Sequence, residues 1–175
     1  MSKLFKPSGS KNNGWNLTKT FIQTALFWGT FLILVPWGIC SLESSNNISR
    51  FAFYGQAFLA SSGFVICSML GVWSAITMAI IGKGTPLPTD GPQKLVIKGP
   101  YRLVRNPMAV AGIMQGICVG VFLGSWIVIV YSISGVIVWH LFVRPAEEKD
   151  LEVRFKEDYV KYKAKVRCWI PKIKV

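Results

Sequence analysis

Apolar residues in this chain come in three long blocks, not in the short alternations of a soluble fold. Residues 20–40 form the first block and residues 51–81 the second. Each supplies the roughly 20 apolar residues a helix needs to cross a bilayer core. The third block, residues 108–143, is too long for one crossing. As a straight helix at about 1.5 Å per residue it would reach roughly 54 Å, against a hydrocarbon core of about 30 Å. It must turn back, and Gly124-Ser125 is the place for a turn. The pattern therefore predicts short helices over 108–123 and 126–143, joined as a hairpin.

Beyond Val143 the period changes. Leu151, Phe155, Tyr159, Tyr162 and Val166 recur at helical spacing, with Lys, Glu and Asp between them. This is one face of an amphipathic helix. Pro145 suits its first turn, where a missing N–H costs nothing. Glu147, Glu148 and Asp150 suit the positive end of its dipole, and Pro171 closes it. The expected fold is an all-α integral membrane protein with about four transmembrane helices, the last two a hairpin, followed by a cytoplasmic amphipathic C-terminal helix. A single domain spans residues 1–175, with two N-terminal helices in 1–81 and a functional core in 82–175.

Charge refines this picture. The 175 residues carry a net charge of +12, with a mean hydropathy of +0.41. Lys3, Lys6, Lys11 and Lys19 precede the first block without an acid. The 41–50 loop holds only Glu43 and Arg50, whereas Lys83, Lys94, Lys98, Arg102 and Arg105 face Asp90 alone in 82–107. The tail from Arg144 has ten cations and six acids. By the positive-inside rule both termini and the 82–107 loop are cytoplasmic, which requires an even number of crossings. The basic residues follow membrane sidedness and argue against nucleic-acid binding; membrane lipids are the expected partners. Cys40, Cys67, Cys118 and Cys168 have no metal-ligand spacing and predict neither a metal site nor a disulfide framework. The first apolar block is too long for a typical signal peptide and reads as a retained helix.

Three polar clusters fall at the same membrane boundary. GKGTPLP, residues 82–88, leaves the second helix with two glycines that allow close backbone approach to a ligand. GPYRLVRNPM, residues 99–108, places Tyr101, Arg102 and Arg105 before Asn106-Pro107, which is good capping chemistry for the next helix. HLFVRPAEE, residues 140–148, sets His140 and Arg144 one turn apart and ends in Glu147-Glu148. Each has an ordinary helix-end explanation as well: a C-cap and proline loop, a capped turn with phosphate anchors, and acids at a helix start. Together they outline a pocket half in lipid and half in water, suited to one amphiphilic and one polar ligand.

LVIKGPYRLVRNPM, then RPAEEKDLEVRFKEDYVKYKAKVRCWIP, with GKGTPLP upstream, resemble the membrane methyltransferases typified by isoprenylcysteine carboxyl methyltransferase and phospholipid N-methyltransferase. The resemblance covers residues 82–171. It implies S-adenosylmethionine as methyl donor, bound on the cytoplasmic side. It also implies contacts from the Gly82 and Gly84 backbone and a pocket lined by Lys94, Leu95, Val96, Tyr101, Arg105 and Asn106. Glu147, with Glu148, would take the donor's cationic amino end. Arg105 and Arg144 would be the catalytic residues, Arg144 near a family position that orients substrate. Asn106 stands where isoprenylcysteine enzymes usually have His and resembles the phospholipid branch. Ala109 replaces a frequent Tyr, Phe155-Lys156 the usual Phe-Gly, and Val166-Arg167 the usual Val-Pro.

The acceptor stays open between carboxylate, amine and thiol. A carboxylate needs no base, whereas an amine or thiol needs one, and His140, Glu147, Glu148 and Tyr101 are the residues at hand. The expected activity is methyl transfer to a lipid-like or small hydrophobic acceptor, in a plasma or inner membrane more readily than in the endoplasmic reticulum. The alternatives are an NADPH-dependent membrane reductase of sterol-reductase type and a non-catalytic membrane adaptor.

Overall fold

The computed structural model describes residues 7–9, 12–85 and 90–171. Lys3, Lys6 and Lys11, the Pro86, Leu87 and Pro88 part of the glycine–proline loop, and Lys172 and Lys174 lie outside the described residues. Four helical rods carry the fold: α1 (Asn13–Ser45), α2 (Gln56–Gly82), α3 (Pro107–Leu123) and α4 (Trp126–Lys165). α1, α2 and α4 are long and apolar enough to cross a membrane. α3, with 17 residues, spans about 26 Å at the helical rise.

The boundaries follow local chemistry. Asn12 caps α1 by accepting from the Gly14 N–H at 2.9 Å and the Trp15 N–H at 3.3 Å. Asn106 caps α3 by accepting from the Ala109 N–H at 3.2 Å, with Pro107 in the first turn. The hairpin turns where the sequence placed it. Gly124 ends α3 in the left-handed region, with φ 66°, and Ser125 caps α4 by accepting from the Val128 N–H at 3.0 Å. A Cβ at Gly124 would also collide with the Phe51 carbonyl, so both backbone shape and neighbours demand glycine there.

Three rods contain a wide, π-helical turn: Gly29–Leu34 in α1, Met78–Gly82 in α2 and Trp139–Val143 in α4. In α1 this turn lets the helix pass Pro36 without ending. The Val35 N–H reaches back five residues to the Thr30 carbonyl, which relaxes the ladder just before the proline ring. In α4 the wide turn joins the apolar part to a polar arm, Arg144–Lys165. The expected separate C-terminal helix is therefore a continuation of the hairpin, because Pro145 falls in a first turn that the wide turn already leaves without regular bonds. The arm itself is broken at Lys156, with φ 46° and ψ −127°. It ends at Lys165, earlier than Pro171, where Val166 turns extended.

The packing is inverted relative to a soluble protein. Leu26, Leu34, Trp37, Phe58, Ile66 and Met69 are exposed, whereas Asn16, Thr20, Glu43, Ser74 and Gln115 are buried. Helices approach through small residues, as lipid-embedded helices do. A Cβ on Gly116 would sit 2.5 Å from Ser132 Oγ, and one on Gly120 2.6 Å from Ile129 Cγ1, so α3 and α4 run antiparallel in close contact. Gly63 faces Cys118 and Gly71 faces Ala111 across α2 and α3. The Gln115 amide donates to Ser68 Oγ at 2.8 Å in the same seam.

Candidate functional site

Toward one end of the bundle the middle of α1, the end of α2, the 90–106 loop, the first half of α3, the apolar part of α4 and the arm enclose a cavity of about 490 Å³. That volume lies in the range of small-molecule sites. The wide turns all reach it: Phe31 and Leu32 from the first, Met78 from the second and Trp139 from the third. Wide turns are frequent at functional sites because they re-aim side chains within a helix.

The 90–106 loop is fixed from several sides. The Gly82 carbonyl accepts from the N–H groups of Gln93 at 2.7 Å and Lys94 at 3.1 Å. Gly84 lies so close to Gly91 that a Cβ would overlap the Gly91 carbonyl. Lys19 pairs with Asp90. The Arg154 Nη1 donates to the Pro92 carbonyl at 2.7 Å. The Tyr162 hydroxyl donates to the Tyr101 carbonyl at 2.7 Å, and the Arg105 N–H donates to the Arg167 carbonyl at 2.9 Å. The arm thus closes over the loop like a wall, held by hydrogen bonds to backbone.

The two adjacent glutamates have different environments. Glu148 is saturated: Arg105 Nη1 at 2.5 Å and Arg144 Nε at 2.8 Å share its Oε1, and Lys163 Nζ holds Oε2 at 2.8 Å. Burial pushes its pKa up, but Lys163, Arg144 and Arg105 outweigh burial and hold it below the ordinary value. Glu147 lines the cavity and makes no ion pair among the described residues. Burial, reinforced by the Glu148 and Asp150 charges and only partly offset by Arg105 and Arg154, pushes it up to about 7. Burial also raises the Tyr159 phenol to about 12 and the Tyr101 phenol further.

The arginines of the cavity are committed. Arg105 and Arg144 hold Glu148, and Arg154 holds Asp150 at 2.5 Å as well as the Pro92 carbonyl. Three buried polar atoms of lining residues have no hydrogen-bond partner: Gln23 Oε1, Arg105 Nε and Trp139 Nε1. Such atoms are costly unless a ligand or water meets them. One acceptor, two donors and an unpaired carboxylate in an otherwise apolar cavity form a recognition set for a polar, cationic ligand.

Leu95, Val96, Tyr101, Arg105, Asn106, Arg144, Glu147 and Glu148 all line this cavity. Gly82 and Gly84 lie behind it, where a Cβ would strike Val96 and Pro92 or the Gly91 backbone. Lys94 is exposed and contributes its backbone N–H to Gly82. Sequence reasoning missed the contribution of α1, which supplies Gln23, Thr24, Phe27 and Trp28. A polar Gln23 inside an apolar span is the signal that pointed there. Trp139, Arg154 and Tyr159 also escaped notice because their ordinary roles as interfacial or amphipathic-face residues explain their presence.

Inverted packing and three rods long and apolar enough to cross a membrane mark a helical integral membrane protein with a mostly apolar cavity toward one bundle end. Residues 56–158 match the family model for phospholipid methyltransferase. That is more than half of the chain, and the chain belongs to this family. Curated proteins give no match.

Proposed function

We propose that the chain transfers a methyl group from S-adenosylmethionine to the head of a lipid-like acceptor at the cytoplasmic face of its membrane. The carrying observation is Glu147, an acid facing the cavity with its neighbour Glu148 saturated by three cations. A bound cation would complete its pairing, and the amino end of S-adenosylmethionine is such a cation. The donor carries a methyl already activated on a positively charged sulfur. What remains for the protein is alignment and exclusion of water. Gln23 Oε1, Arg105 Nε and Trp139 Nε1 are positioned to satisfy polar groups of the same ligand. Leu95, Val96, Tyr101 and Asn106 form the walls, while Gly82, Gly84 and the Lys94 backbone set the shape of the loop behind them.

Arg105 and Arg144 line the cavity together. Their engagement with Glu148 bears on the acceptor. A carboxylate acceptor would compete with Glu148 for these guanidiniums, whereas an amine acceptor leaves every pair intact. A phospholipid headgroup amine is therefore the favoured acceptor. It must lose a proton before or during attack, and with Glu147 engaged by the donor that proton is not assigned to Glu147. The same commitment of arginines disfavours a dinucleotide phosphate and hence the reductase alternative.

Calorimetric titration of detergent-purified protein with S-adenosylhomocysteine tests the donor site. One-to-one binding that weakens at least about tenfold in Glu147→Gln supports it, on the scale of one lost charged hydrogen bond. Well-folded protein that binds nothing removes the methyltransferase reading, and equal binding in both forms removes Glu147 from the donor site. Transfer of labelled methyl to extracted phospholipids, compared with carboxylate-bearing lipids, then decides the acceptor.

A further inference from the structure

A second cavity lies at the opposite end of the bundle and is independent of the methyltransferase reading. The C-terminal half of α1 stands away from α2 and α3, leaving a furrow of about 790 Å³. Along α1 it is lined from Leu32 to Ser44, a rise of about 18 Å. That matches one leaflet's share, about 15 Å, of a hydrocarbon core. Its walls are almost wholly apolar, with Ala60, Phe64 and Val65 of α2 facing Pro36 and Trp37 of α1. Its mouth is not apolar. Arg50 lines it there, with a 39% exposed side chain. The Arg50 Nη2 donates to the Cys40 carbonyl at 3.1 Å and to Ser44 Oγ at 3.4 Å, and Nε faces Glu43 at 3.7 Å. Glu43 is buried to 2% exposure and takes a 2.6 Å hydrogen bond from the Ser125 hydroxyl. The guanidinium is thus fixed in place from below while part of it remains open to solvent.

We propose that this furrow holds one phospholipid of the leaflet opposite the candidate active site, with an acyl chain between α1 and α2 and its phosphodiester against Arg50. Length and charge choose the occupant together. A chain-length apolar slot ending at a fixed cation fits a phosphate-bearing lipid better than a neutral one. The lipid would restore the contact that α1 lacks with α2 and α3 in this half of the bundle.

Native mass spectrometry of the full chain released from detergent, titrated with phosphatidylglycerol, is the test. One lipid should persist at activation that strips the remainder. Diacylglycerol with the same chains should bind at least about tenfold more weakly, on the scale of one charged hydrogen bond. Ser61→Trp, which fills the furrow, should abolish the persistent adduct. Arg50→Ala should weaken it while Arg50→Lys retains it. If Arg50→Ala fails to fold, Ser61→Trp alone decides. No persistent lipid, equal retention of diacylglycerol, or an adduct unchanged in Ser61→Trp would overturn the proposal.

Discussion

Glu147 and Glu148 are chemically identical neighbours, and only their surroundings separate them. Glu148 serves as a node for Arg105, Arg144 and Lys163, whereas Glu147 faces the cavity. Its value of about 7 in the folded chain, up from 4.5, gives a defined pH dependence. A cationic ligand requires the ionised form, so below about pH 7 binding must expel a proton. Affinity for S-adenosylhomocysteine should fall about tenfold per unit below that point and level off above it; Glu147→Gln should bind weakly with no such slope. Folding has the opposite trend. A carboxyl raised by folding holds its proton more tightly when folded, so empty protein loses stability as pH rises from 4.5 through 7. Melting curves should show Glu147→Gln gaining on the unmodified chain between pH 5 and pH 8.

Lys156 gives a second residue-level prediction. It adopts φ 46° and ψ −127°, a conformation open mainly to glycine, and its side chain is exposed. Strain of about 1–3 kcal/mol exceeds the added chain entropy of glycine, about 0.5–1 kcal/mol. Lys156→Gly should therefore raise the melting temperature by about 2–4 °C per kcal/mol gained. The sequence exposed the departure from Phe-Gly but not its energetic sign, which depends on the break in the arm. It likewise marked both glutamates without distinguishing them, because ion pairing with Arg105 joins residues 43 positions apart.

Among the elements, the hairpin was the most legible. Length forbade a single straight helix, and Gly124-Ser125 was the available turn; the structure shows the left-handed glycine and serine cap there. The amphipathic face was legible too, since Tyr159 and Tyr162 are buried and Leu151 lines the cavity. What escaped was continuity. Wide turns leave no composition signature, so Pro145 looked like a helix start although it lies inside a rod. The glycine–proline loop shows that its glycines have a packing reason of their own. Gly82 is crowded by the Val96, Pro92 and Met78 side chains, and Gly84 by the Gly91 and Pro92 backbone. Gly84→Ala would push Gly91 outward and shift Pro92 and Leu95 in the cavity wall. Its expected effect is weakened S-adenosylhomocysteine binding with near-unchanged helicity, measured by calorimetry and circular dichroism. Unaltered binding would separate this loop from the ligand site.

On the scale of the whole molecule, the starts of α1 and α3 and the ends of α2 meet the arm at one end, as the Lys19–Asp90 and Arg154–Pro92 contacts show. The chain therefore traverses its bundle up, down, up and down. With α3 only 17 residues long, four crossings and cytoplasmic termini remain our reading of length and charge. In a cysteine-free background, Asn13→Cys and Lys161→Cys should react with an impermeant maleimide from the same side, and Asn46→Cys from the other. Labelling of all three from one side would defeat the four-crossing arrangement. Composition made membrane residence legible, but the cavity itself was beyond it, because that volume exists only where segments distant along the chain converge.

The order of those segments along the chain has one more consequence. Gln23, the 90–96 loop and Arg105 emerge from the ribosome before the hairpin, and Glu147 and Glu148 only after it. Until α4 has been inserted, Arg105 has no carboxylate and the pocket has no wall. Completion of the cavity is thus tied to completed membrane biogenesis.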